Sequence, residues 1–128
     1  MSTIKVNNLQ TASGGSNSTP EEIQQGRAKA WVNFKGTSTV TILDDFNVST
    51  ITDHATGQYT VNFSNTMPNA NYAFTGVNSS DGDNGHESIV SQHGGTDPTT
   101  SALRIRVTKT SDAGYTDKYY TNLIIFGD

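Results

Sequence analysis

Hydrophobic and polar residues alternate with a period of two along most of this chain, and the longer period of a helix is confined to one short stretch. Ala28, Ala30, Val32 and Phe34 fall on one face of a pleated segment, with Arg27, Lys29, Trp31 and Asn33 on the other. Phe46, Val48 and Thr50 alternate in the same way with Asn47, Ser49 and Ile51, which predicts a second strand. Tyr59, Val61 and Phe63 alternate with Gln58, Thr60 and Asn62, and Asp53 to Gly57 reads as a hairpin loop leading into them. Tyr72 and Phe74 begin another strand after the turn chemistry of Met67 to Asn71, and Ile89 and Val90 mark a brief one. Leu103, Ile105 and Val107 against Ala102, Arg104 and Arg106 give the cleanest alternation. The closing run from Lys118 to Phe126 is apolar on both faces near its end, as in a central strand or one covered by a partner.

Ahead of these strands the pattern changes. Ile4 and Val6 alternate with Lys5 and Asn7 and predict one short strand, and residues 11–18 form a Gly/Ser/Asn linker. Thr19-Pro20-Glu21-Glu22 then has the spacing of a capping box with proline at the first helical position, and Gly26 is a natural stop. Residues 1–25 therefore read as an anchoring arm with a short helix. Residues 26–128 read as an all-β domain, an antiparallel β-sandwich (jelly-roll-like) whose strands are punctuated by polar turns. Three polar loops, residues 78–87, 93–100 and 109–117, separate the later strands.

Composition narrows the function. Ser, Thr and Asn make about a third of the chain and only 32% is hydrophobic, as suits half-buried strands and polar loops. With no cysteine, a disulfide framework, a thiolate nucleophile and a cysteine metal site are all excluded. A net charge of −4 gives no footprint for nucleic acid. No apolar stretch has the length of a membrane span or the layout of a signal peptide, so membrane insertion is not expected.

Candidate chemistry is sparse. Asp81-Gly82-Asp83-Asn84-Gly85-His86-Glu87 looks like a calcium loop at first sight. Counted from Asp81, however, the sixth position is His86 rather than Gly and the twelfth is Gln92 rather than Glu, so the EF-hand pattern fails. His54, His86 and His93 lack ligand spacing for zinc. No nucleophile elbow is present, and the carboxylates that could pair for glycoside hydrolysis (Asp44, Asp45, Asp81, Asp83, Glu87) lie where turns are expected. Neither an enzymatic activity nor a cofactor or metal is expected. Trp31 on a polar strand face could stack on a sugar or fill a subunit interface.

The run AKAWVNF (Ala28–Phe34), the segment DDFNVSTITD (Asp44–Asp53), TGQYTVNF followed by MPNANYAF, and the ending NLIIFGD resemble a domain of tail-fibre-like and other virion structural proteins of bacteriophages, cyanophages among them. The likeness is close over residues 26–74 and loose at the last seven. It implies a virion structural protein made in the host cytoplasm: a tail-fibre or adhesin appendage held by its arm and presenting polar loops to the host surface, or alternatively a capsid decoration protein. A homotrimer is expected, with the arm meeting other virion proteins and the loops a host glycan or protein. Candidate surface-contact residues are Asp81, Asp83, His86 and Tyr115. Candidate subunit-interface residues are Ile4, Val6, Leu9, Ile23 and Trp31.

Overall fold

Strands with one apolar face must bury it against another layer, and this chain does so by stacking two sheets. The computed structural model describes residues 1–15, 17–79 and 88–127. Among these, β1 (Leu9–Gln10) pairs with β2 (Asn17–Ser18) and α1 covers Pro20–Gln25. The body is built of β3 (Ala30–Lys35), β4 (Thr41–Phe46), β5 (Val48–Ala55), β6 (Gln58–Phe63), β7 (Ala73–Ser79), β8 (Ser88–Gln92), β9 (Ala102–Lys109) and β10 (Tyr120–Phe126). The first sheet has the order β4-β3-β10-β7 and the second β5-β6-β9-β8, with every pairing antiparallel. The protein is an all-β sandwich with one small helix.

The predicted alternation builds the core. Ala30, Val32, Phe34, Leu123 and Ile125 from the first sheet meet Tyr59, Val61, Leu103, Ile105 and Val107 from the second, all of them buried. Each large side chain buried this way contributes about 1.5–3 kcal/mol. Phe34 and Tyr59 meet edge to face across the layers, with ring centroids 5.1 Å apart. Phe63 and Tyr72 repeat the arrangement at 5.7 Å. The closing strand is central, as expected from its apolar faces: β10 lies between β3 and β7.

Three local expectations need correction. Residues 1–8 form no strand, because they lie exposed without a neighbouring strand to satisfy their backbone groups. The linker supplies half of the small β1–β2 hairpin instead. The hairpin loop before β6 is also tighter than five residues, since β5 runs on to Ala55 and only Thr56 and Gly57 turn the chain. Gly57 has φ +63°, and a Cβ there would lie 2.6 Å from the Val107 carbonyl oxygen and 2.8 Å from the Thr116 nitrogen. The turn is therefore packed against β9 and the chain after it, and only glycine fits.

The third correction concerns Phe46, Val48 and Thr50, which do not share a face. The chain leaves the first sheet after Phe46 and enters the second at Val48, turning at Asn47 with φ +58°. Asn47 tolerates this left-handed geometry and fixes it with its side chain. Its Nδ2 donates to the carbonyls of Lys29 (3.0 Å) and Asn65 (3.2 Å). Its Oδ1 accepts from the Asn65 backbone N–H (2.7 Å) and from Asn65 Nδ2 (3.1 Å). Asp45 Oδ2 accepts from the Val48 N–H at 3.2 Å across the same corner. A bulge at Ser49 then turns Thr50 outward beside Asn62 and brings Ile51 opposite Val61 on the inner face.

The two sheets are tied together at Tyr59. Its buried hydroxyl donates to Asp117 Oδ1 at 2.5 Å with the Gly36 carbonyl oxygen 3.2 Å away, and the same Asp117 oxygen accepts from the Gly57 N–H at 2.7 Å. Burial, and then the hydrogen bond to and charge of Asp117, hold the phenol proton far above the usual tyrosine range. Tyr72 donates to the carbonyls of Thr99 and Ala102, both at 3.1 Å, and burial pushes its phenol up to about 12.

Edge strands are treated unequally. β4 carries a bulge at Leu43 and sets Asp45 opposite the inward-facing Val32, while β5 has bulges at Ser49 and His54. Such features discourage pairing with other chains. β7 and β8 contain neither a charged residue nor proline.

The corner and the tie can each be tested. Asn47→Gly keeps the backbone geometry and loses the side-chain bonds, whereas Asn47→Ala loses both. In urea titrations Asn47→Ala should be the less stable by about 1 kcal/mol, with both variants below the parent. Equal midpoints for the two variants would show that the left-handed turn carries no strain. Tyr59 and Tyr72 hold their protons in the folded state, while the unfolded chain releases them from about pH 10. The unfolded state then binds fewer protons, so stability is full below about pH 10 and falls as pH rises toward 12 and beyond. Denaturation midpoints measured from pH 9 to 12 should decline more gently in Tyr59→Phe and Tyr72→Phe.

Candidate functional site

The outer faces of the two sheets differ, and the difference arises from which polar residues alternate with the core. On the second sheet several outward residues pair with one another, although Arg104 Nε is buried without a partner. Asn62 Nδ2 donates to Thr50 Oγ1 (3.1 Å) and Thr52 Oγ1 (3.0 Å), and His54 Nε2 lies 2.9 Å from Thr60 Oγ1. His93 Nε2 lies 3.0 Å from Gln58 Oε1, and Arg106 Nε donates to Ser91 Oγ at 3.0 Å. His54 and His93 are thus engaged with a hydroxyl and an amide. Among the described residues no three His, Asp or Glu side chains gather as a metal set.

On the first sheet, strand register lines up two rows. Phe46, Trp31, Ile124 and Thr75 stand side by side across β4, β3, β10 and β7. Next to them run Asp44, Asn33, Asn122 and Val77. Side chains paired this way lie about 4.5–5.5 Å apart at Cβ, and adjacent rows are about 7 Å apart. Between the rows lies a groove of 460 Å³, lined by Trp31, Asn33, Asp44, Val77, Asn122 and Ile124 among others. Phe46 is 48% exposed, Val77 67% and Ile124 38%, so a substantial apolar surface stands open. Asn33 Oδ1 is buried in the sheet surface and has no hydrogen-bond partner. At one end of this face the Lys35 ammonium lies 5.1 Å from the centre of the Tyr119 ring, which packs edge to face on Tyr120.

The arm makes a second surface. Thr19 caps α1 as its spacing predicts: Thr19 Oγ1 accepts from the Glu22 N–H, and Glu22 Oε2 accepts from the Thr19 N–H. No residue of the helix is buried. Ile4, Val6 and Leu9 gather with Ile23 around a hollow of about 570 Å³, and all four remain exposed. One side-chain tie to the body runs from Lys29 Nζ to the Gln24 carbonyl, 2.7 Å.

The structure brings together four of the five subunit-interface candidates, Ile4, Val6, Leu9 and Ile23, and places Trp31 apart from them in the groove. Tyr115 is exposed in the loop after β9, where it bridges back to Thr108. Asp81, Asp83 and His86 lie outside the described residues. Asp44 and Asp45, weighed as a catalytic pair, point to opposite faces of β4 and make local backbone contacts, Asp44 Oδ1 accepting from the Asp45 N–H. Sequence reasoning noted Asn33 beside Trp31 but missed the groove they share with Asp44 and Asn122. Alternation assigns each residue to a face within its own strand, whereas the row across strands depends on register.

Searches against family models, curated proteins and solved structures find no match to this chain.

The weak attachment of the arm generates a test. Thr19→Ala should cost the helix about 1 kcal/mol while leaving the melting temperature of the sandwich within about a degree of the parent. Backbone amide exchange should quicken over residues 20–26 alone, and slower or unchanged exchange there would mean that the cap does not hold the helix.

Proposed function

We propose that this protein is a non-enzymatic structural component of a phage virion, an appendage of the tail-fibre or adhesin type anchored by residues 1–25. The observation that carries the reading is the arm. It displays Ile4, Val6, Leu9 and Ile23 around one hollow and covers none of them with its own domain. Exposed apolar clusters of this kind mark contact with other proteins. The sandwich needs none of these residues for its core, so the arm is free to serve assembly. The family resemblance supplies the setting, and a fold whose edges β4 and β5 are bulged and acidic suits a module that must meet partners through chosen surfaces. Association through the arm would produce a closed oligomer, with a trimer as the expected form.

Replacing Ile4, Val6, Leu9 and Ile23 together with Ser in the full chain should leave the thermal unfolding of the sandwich unchanged and abolish association in sedimentation experiments. A monomeric parent chain at micromolar concentration would remove the trimer. Immunogold labelling of parent virions places the protein: gold at the tail or collar supports the appendage, and gold over the head makes it a decoration protein. Unlabelled virions would overturn both.

A further inference from the structure

Trp31 is the chain's only tryptophan, and it lies half-buried in a groove on the outer face of the first sheet. We propose that this groove on the outer face of the β4-β3-β10-β7 sheet is a carbohydrate-binding site for a neutral, hydroxyl-rich glycan. The inference deepens the host-contact reading and relies on it only for where the glycan is met.

A pyranose ring has an apolar face of C–H groups and a rim of hydroxyls, so its binding site needs a flat apolar surface beside planar polar groups. The groove has both. Trp31 supplies the broad aromatic surface, with Ile124 beside it on β10 and Val77 across the groove on β7. Asp44, Asn33 and Asn122 stand in register across three adjacent strands. Carboxylate and amide groups in such a row can accept from and donate to neighbouring ring hydroxyls. Asn33 lines the groove, and its Oδ1 is a buried acceptor without a hydrogen-bond partner. The 460 Å³ volume falls within the usual span for small-ligand sites, about 300–1,000 Å³.

Charge sets the class of glycan. No lysine or arginine lines the groove and Asp44 does, so uronic-acid and sulfated chains are repelled. The same charge disfavours a second copy of this face as the occupant. A two-fold contact would bring two Asp44 carboxylates and the unpartnered Asn33 oxygens into one buried layer, with no cation in the groove lining itself.

Tryptophan fluorescence of the full-length protein reads the groove directly, with no competing tryptophan. Gluco-, manno- and galacto-oligosaccharides are titrated in, with polygalacturonate oligomers as the acidic control. The expected result is a saturable blue shift with at least one neutral series and none with the acidic one. Asn33→Ala and Asn122→Ala, checked for folding by circular dichroism, should each weaken binding about tenfold. Asp44→Asn should admit the acidic oligomers. Silence across the neutral panel overturns the proposal, as does binding unchanged in both amide variants. An emission shift that tracks protein concentration, together with a larger sedimenting species, assigns the face to a second copy instead. Labelled virions with a silent Trp31 sink the groove alone, whereas glycan binding by a chain that labels no virion sinks the virion reading alone.

Discussion

The sandwich depends on a single left-handed residue. At Asn47 the chain leaves one sheet for the other, and the residue's side chain holds the carbonyls of Lys29 and Asn65 and the N–H of Asn65 while it turns. Those contacts join the approach to β3, the β4–β5 crossing and the exit from β6 at one point. The crossing sets what each layer shows to its surroundings. Phe46 and Asp44 are left on the outer face of the first sheet beside Trp31 and Asn33, while Val48, two residues past Phe46, is buried in the core. Without the turn, the alternation that runs through Phe46 and Val48 would keep both on one face.

The Tyr59 tie acts at the other end of the layers. Asp117 reaches one carboxylate oxygen to the Gly57 N–H and the Tyr59 hydroxyl, so the β5–β6 turn, the β3–β4 connection at Gly36 and the start of the closing strand are clasped together. A buried phenol without such partners would lose about as much stability as its burial contributes. Between these two fixed points the Phe34–Tyr59 ring pair fills the middle.

Much of this was legible in the sequence where one rule acts alone. Leu103, Ile105 and Val107 alternate without interruption, and all three are buried in β9. Thr19, Pro20 and Glu22 have the spacing of a capping box, and the box forms. Misreadings arose where two rules compete. The period-two pattern through residues 46–51 is consistent with one strand, but a positive φ at Asn47 and a bulge at Ser49 each reverse the facing of the residues after them. The groove was half legible: the sequence places Trp31 with Asn33, and only register adds Asp44 from β4 and Asn122 from β10. Asp117 gave no signal at all, since a carboxylate in a polar loop looks the same whether it is solvated or clasps a tyrosine 58 positions away.

The two glycine turns of the second sheet leave very different room for a side chain. Gly57 is wedged against Val107 and Thr116, whereas Gly94 and Gly95, just past β8, have no atom near the position of a side chain. A side chain added at Gly57 would collide with backbone, whereas one at Gly94 would meet open space and one at Gly95 would meet only the strain of its φ of +79°. The open space beside this sheet therefore lies at residues 94–95, and the turn at Gly57 has none.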